Sequence, residues 1–221
     1  MIVDERIITF INSLDTKNSE ILEDIEREAL ADNVPIIRRE MQSFLKVLLM
    51  VKKPMRVLEV GTAVGFSALL MSEYVPEECA ITTIENYEKR IPIARQNFVR
   101  AGKEKKITLL EGDAMDVLKT LEGPYDFIFM DAAKGQYIHY LPEILRLLAK
   151  GGILVSDNVM QDGDVIESRF AVERRDRTIH ARMREYLYEL KHNDALVTSI
   201  IPLGDGVALS VKKEVRTDIA Q

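Results

Sequence analysis

Residues 125–137 read YDFIFMDAAKGQY, an apolar run that stops on Asp131 with Lys134 close behind it. A second apolar run, GILVSDNV, stops on Asp157 and Asn158. Two carboxylates and an amide oxygen, without a cysteine or paired histidines nearby, make a donor set for a hard cation. It suits Mg²⁺ with positions left open for water and substrate oxygens. A lone aspartate at a strand end is more often a helix cap. Two acid stops on adjacent strands, one followed by Asn, are harder to explain that way.

Three further run ends carry residues of use. Glu59-Val60-Gly61-Thr62-Ala63-Val64-Gly65 passes from an apolar strand into a helix. Glycines there let backbone approach a ligand, and the helix N-terminus points amide donors at it. Gly61 and Gly65 lack the G-x-G-x-x-G spacing of a dinucleotide cradle and the Lys-Ser/Thr of a P-loop; taken alone, the loop could be only a tight turn. ITTIE ends on Glu85, where an open α/β sheet places a carboxylate able to accept both hydroxyls of a ribose. EGDA ends on Gly112-Asp113-Ala114, suited to border an adenine.

These positions imply the elements that hold them. Before Pro54 the apolar residues recur at helical spacing in DERIITFINSL, SEILEDIEREALAD and IIRREMQSFLKVLLMVK, which predicts a helical addition over residues 1–53. From 54 to 213 short β-rich runs alternate with amphipathic helices: RVLEVG, FSALLMSEYV, AITTIE, YEKRIPIARQNFVRAG, ITLLEGD, AMDVLKTL, YDFIFMDA, YIHYLPEILRLLAK, GILVSDN. That order specifies parallel strands with helical crossovers on both faces. Pro92 sets the start of one crossover helix, and Pro142 falls in the first turns of another. ALVTSIIPLGDGVALSVKK is two strands about Gly204-Asp205-Gly206, an antiparallel hairpin signal. The expected fold is α/β and Rossmann-like: a seven-stranded, mostly parallel sheet, one domain, with residues 214–221 as a tail. Residues 160–176 show no period, and a loop that long is usually functional.

The chain has 221 residues, 47% of them hydrophobic, enough for one full core. It has no apolar run of membrane-spanning length, and its N-terminus, MIVDERIITF, is acidic where a signal peptide is basic. The expectation is a cytoplasmic protein with no membrane partner. Cys79 stands alone, so no internal disulfide forms. A net charge of −6 argues against indiscriminate nucleic-acid binding. Charge is unevenly spread, however: residues 15–32 are acidic, whereas SRFAVERRDRTIHARMR is rich in arginine. By default such runs are solvated helix faces.

Taken together, EVGTAVGFSALL, ITTIE, EGDA, FIFMDAAKGQY and VSDNV resemble the cation-dependent class of S-adenosylmethionine-dependent O-methyltransferases, which includes catechol and caffeoyl-CoA O-methyltransferases. Within it, MDAAKGQY with SDNVMQDG, RTIHARMREY and IPLGDGVALS is most similar to the bacterial tRNA 5-hydroxyuridine methyltransferases. The resemblance implies Mg²⁺ on Asp131, Asp157 and Asn158. It implies Lys134, beside Asp131, as the base that takes the acceptor hydroxyl proton. The S-adenosylmethionine site would draw on Ile37, Glu59, Gly61, Gly65, Ser67, Glu85, Asp113, Ala114 and Asp131.

Such a metal site asks for two vicinal oxygens on a planar ring, which catechols and 5-hydroxyuridine both present. The arginines favour the second: Arg38, Arg174, Arg175 and Arg177 would hold phosphates while an anticodon-loop base enters the pocket, with Tyr137, Tyr140, Tyr186 and Tyr188 as possible stacking partners. The expected partners are therefore tRNA and a second copy of the chain, met through the apolar faces of the first helices. A small-molecule O-methyltransferase for catechols or related diphenols is the alternative. Catechol enzymes also carry a downstream carboxylate that grips the second hydroxyl; no residue of 160–176 is assigned to it.

Overall fold

The computed structural model describes residues 2–214. Three helices come first: α1 (Glu5–Ser13), α2 (Glu20–Ala31) and α3 (Arg39–Lys52). There follow β1 (Arg56–Val60), α4 (Phe66–Tyr74), β2 (Ala80–Glu85), α5 (Ile91–Arg100), β3 (Ile107–Glu111), α6 (Ala114–Thr120) and β4 (Tyr125–Met130). The chain ends with α7 (Tyr137–Leu147), β5 (Leu148–Ser156), α8 (Arg177–His192), β6 (Leu196–Ile201) and β7 (Val207–Lys212). Most of the tail expected at 214–221 lies outside the described residues.

One seven-stranded sheet runs in the order β3-β2-β1-β4-β5-β7-β6. β1 to β5 are mutually parallel, and β7 is antiparallel to both β5 and β6. Strand order reverses between β1 and β4, and in an open parallel sheet that switch point opens a crevice beyond the strand ends. Successive residues of each strand face opposite layers. Thus Val57, Phe127, Phe129 and Val155 pack with α2 to α5, while Leu58, Ile128, Met130 and Leu154 pack with α6 to α8. Each fully buried phenylalanine contributes about 2–3 kcal/mol by leaving water.

α4 is buried from Phe66 through Ser72, and so shows apolar and small residues all round rather than a stripe. It lies between the sheet and the pair α2 and α3. The acidic stretch is not wholly a solvated face. Glu26 is buried, accepts from Gln42 Nε2 at 3.0 Å and pairs with Arg39 Nη2 at 3.3 Å. α1 differs again: none of its residues is buried, and Ile7, Phe10, Ile11 and Leu14 are exposed.

One boundary departs from expectation. The helix read through Lys150 stops at Leu147, because Leu148 turns extended and begins β5. Pro92 sits at the start of α5, and Pro142 falls in the second turn of α7, which begins at Tyr137, both as read from the sequence. Residues 160–176 form a short 3₁₀ segment, Gln161–Ile166, kinked at Asp162 and Gly163, and then irregular chain. Among the described residues no helix is long and apolar enough to cross a membrane.

Candidate active site

β1, β2, β4 and β5 end along one edge, and above it lies a cleft of about 560 Å³. Of the residues singled out in the sequence, Ile37, Arg38, Gly61, Ser67, Glu85, Ala114, Asp131, Lys134, Asp157 and Asn158 line it. Glu59, Gly65, Asp113, Arg174, Arg175 and Arg177 do not.

At the end formed by β1 and β2 the backbone is shaped for close approach. Gly61 has φ +102°, and a Cβ there would lie 2.0 Å from the Asp131 carbonyl oxygen, so only glycine lets β1 and β4 leave the sheet side by side. Gly65, with φ +84°, serves packing instead, since a Cβ would stand 2.5 Å from the Phe98 ring of α5. Ala63, between them, also has positive φ (47°), a strained state typical of functional turns.

Glu85 accepts from the backbone amides of Ala63 at 2.7 Å, Asn86 at 3.0 Å and Tyr87 at 2.8 Å. These bonds hold its carboxylate at the cleft wall with acceptor capacity to spare. Glu59 is fully buried beneath the cleft and accepts from the hydroxyls of Ser67, at 2.5 Å, and Thr83. Burial pushes its carboxyl up to about 7, against the pull of those two hydrogen bonds. Asp113 is a helix cap, accepting from Met115 N at 2.9 Å.

At the end formed by β4 and β5, Met130 and Ser156 are register partners, so Asp131 and Asp157 follow side by side. Burial raises both carboxyls above the usual range, and the charge of Asp131 raises Asp157 further. Two buried acids this close ionise together only if a positive charge is shared between them. Asn158 adds an oxygen donor from a left-handed backbone (φ 56°), a conformation for which asparagine is one of the better-suited residues. Among the described residues no group of three or more His, Cys, Asp or Glu is placed to hold a metal. The candidate set is two carboxylates and an amide, chemistry that fits a hard divalent ion keeping water or substrate ligands.

Lys134 opens a short 3₁₀ turn before α7, and its Nζ lies 3.2 Å from Asp205 Oδ2. Asp205 was legible only as the centre of a hairpin turn, yet it is buried, lines the cleft and accepts from the Asp162 amide with its other oxygen. Gly206 permits this approach: a Cβ there would strike Met160 Cγ at 2.0 Å. Arg38 reaches the same wall and pairs with Asp162 at 3.6 Å.

The arginine run is not a cleft surface. Arg174 and Arg175 are exposed, and Arg175 pairs with Glu173 at 3.0 Å and Asp176 at 3.4 Å. Arg177 donates to the carbonyls of Val172 and Phe170, while Arg182 and Arg184 donate to those of Gly135 and Val165. Arg177 and Arg184 thus bind carbonyls of the 160–176 segment, and Arg182 binds one in the turn before α7. The tyrosines divide likewise. Tyr137 and Tyr186 are fully buried, Tyr188 stacks on His192 at 3.8 Å, and only Tyr140 lines the cleft. Cys79 is buried and free, its thiol pushed up to about 11 by burial, as suits an inert side chain.

Comparison with known proteins identifies the family. The chain is 35% identical over 128 residues to the catechol O-methyltransferase of Niastella koreensis, an alignment covering 56% of this chain and 58% of that one. It is 33% identical over 183 residues to caffeoyl-CoA O-methyltransferase 2 of Populus trichocarpa, covering 75% of this chain and 70% of the other. The solved structure of the SAH-bound Podospora anserina methyltransferase PaMTH1 superposes with a TM-score of 0.86 at 27% identity, covering 95% of each chain. The O-methyltransferase family pattern matches residues 12–213, and the chain belongs to that family.

Proposed function

We propose that this protein transfers the methyl group of S-adenosylmethionine, with Mg²⁺, to one oxygen of a vicinal pair on a small aromatic ring, a catechol or related diphenol. The observation that carries this reading is one cleft holding Glu85, Gly61 and Ser67 at one end and Asp131, Asp157, Asn158 and Lys134 at the other. The similarity to catechol and caffeoyl-CoA O-methyltransferases supports a small acceptor.

S-adenosylmethionine supplies an electrophilic methyl, so the protein has to position an oxygen in line with it and remove that oxygen's proton. Glu85, held by three amides, would bind the ribose, and the Gly61 turn would admit the methionine part. Asp131, Asp157 and Asn158 would hold Mg²⁺, which supplies Lewis acidity to an adjacent hydroxyl. Lys134 Nζ takes the hydroxyl proton as the oxygen accepts the methyl and the sulfonium becomes a thioether. The resulting ammonium stays beside the Asp205 carboxylate. Asp205 and Asp162 also place carboxylates at the acceptor wall, where a second hydroxyl could be gripped.

A second reading, the 5-hydroxyl of wobble 5-hydroxyuridine in tRNA, uses the same chelate and is favoured by exposed Arg174 and Arg175 on the chain that follows Asn158. Competition separates the two. Labelled S-adenosylmethionine is offered to catechol and to tRNA carrying 5-hydroxyuridine, together and singly. Label in catechol is expected; label confined to tRNA would transfer the proposal to the second reading. We also propose a homodimer in which a second copy covers the exposed apolar residues of α1 and α3.

A further inference from the structure

Tyr137 lies one turn beyond Lys134, fully buried at the start of α7. Its Oη stands 3.1 Å from the Met130 carbonyl and 3.2 Å from the Asp157 carbonyl, and it accepts from the Ala132 amide at 3.3 Å. Met130 and Ala132 flank Asp131. One phenol thus touches the backbone on both sides of the first carboxylate and the backbone of the second. The Met130 carbonyl also accepts the Asp157 amide at 2.9 Å, so a single oxygen joins the ends of β4 and β5 to the tyrosine. The ring is fixed in turn by an edge-on contact with Tyr186, centroids 5.4 Å apart.

A shared hydroxyl proton between two carbonyls and an accepted amide bond define three directions at one oxygen, and with the ring locked that oxygen cannot drift. Beyond the register pair Met130 and Ser156, β4 and β5 are joined by the Asp157 amide on the Met130 carbonyl, and the tyrosine hydroxyl adds a second tie at the same place. We propose that the Tyr137 hydroxyl is a positioning group that sets the spacing of the Asp131 and Asp157 carboxylates, and that it thereby governs divalent-cation affinity. This rests on the Mg²⁺ reading of those residues. Groups that orient ligands from behind typically change metal affinity about 10–100-fold when lost.

The test is Mn²⁺ binding to the full-length chain, followed by the electron paramagnetic resonance of free Mn²⁺ with S-adenosylhomocysteine present. Wild type is compared with Tyr137→Phe, Tyr186→Phe and Asp131→Asn. Tyr186→Phe is the matched control, since it removes a buried hydroxyl of the same core whose partner is the Ser156 side chain, at 2.6 Å. Tyr137→Phe should bind Mn²⁺ about tenfold more weakly or worse. Tyr186→Phe should lower the melting temperature and hold affinity within about twofold.

Equal affinity in Tyr137→Phe and wild type overturns the proposal, as does an equal loss in Tyr186→Phe. If Asp131→Asn binds Mn²⁺ like wild type, the metal reading itself fails and takes the proposal with it. Should Tyr137→Phe not fold, amide exchange in wild type decides. Mg²⁺ slowing the Ala132 amide more than core amides supports the linkage, and an unchanged Ala132 rate refutes it.

Discussion

Lys134 is the side chain whose removal should separate chemistry from binding. Lys134→Ala is expected to lower kcat about 10²–10⁴-fold, with S-adenosylmethionine affinity by calorimetry unchanged, because the amine faces Asp205 and not the ribose wall. Asp205→Asn keeps the shape and loses the charge beside that amine, for a smaller fall of about tenfold. Glu59 gives a pH signature. Its folded-state pKa of about 7 lies above the ordinary 4.5, so the folded chain holds the extra proton between those values. The stability this contributes is complete below pH 4.5 and is lost as pH rises through about 7. Glu59→Gln should therefore gain unfolding free energy relative to wild type between pH 5 and pH 8, by up to about 3 kcal/mol in chemical denaturation; a flat difference contradicts the buried-acid picture. Asp131, Asp157 and Glu85 were legible because each stops an apolar run, and parallel strands bring such stops to one edge. Asp205 was not, since Gly-Asp-Gly is fully explained locally as a turn and its partner Lys134 stands 71 positions away. Tyr137 resembles any aromatic at a helix start until its hydroxyl is placed.

The turn between β1 and α4 is the element most exposed to a single change. Gly61→Ala should cost about 2–4 kcal/mol in chemical denaturation, because its Cβ meets the Asp131 and Ala132 backbone just past β4 and not a side chain that can move. Gly102, also at positive φ (+64°) but with nothing within 4 Å of a Cβ, should show a smaller cost, about 1 kcal/mol, from backbone strain alone. Equal losses at the two sites would mean that the close approach of β1 and β4 is not what fixes Gly61. Every strand and helix anticipated from periodicity is present, since amphipathic alternation reports which face is buried. The helix end at Leu147 was less legible, because local pattern continues smoothly where the chain turns. Several arginines after Asn158 also have a structural role that the sequence pattern does not show. Irregular backbone leaves carbonyls without ladder partners, and long guanidinium side chains on α8 satisfy them.

Across the whole molecule, alternation of strand and helix foretold parallel pairing, but not the order β3-β2-β1-β4-β5-β7-β6, which depends on which crossover reverses. That reversal puts the β1 turn beside the ends of β4 and β5, and so joins two half-sites into one cleft. The N-terminal helices add the wall bearing Ile37 and Arg38 and leave Phe10, Leu14, Met50 and Val51 exposed. Sedimentation should show a dimer that Phe10→Lys with Val51→Lys weakens; an unaltered dimer would place the interface elsewhere. In the proposed reaction the paired acids and Lys134 make oxygen methylation depend on a divalent cation. The decisive measurement is the rate of labelled-methyl transfer from S-adenosylmethionine to catechol as Mg²⁺ is titrated into EDTA-treated enzyme, for wild type and Asp157→Asn. Saturable dependence on Mg²⁺ in wild type, with Asp157→Asn requiring at least about tenfold more ion, is the expected result. Transfer that proceeds undiminished in EDTA, or that is the same in both proteins at every Mg²⁺ concentration, would contradict it.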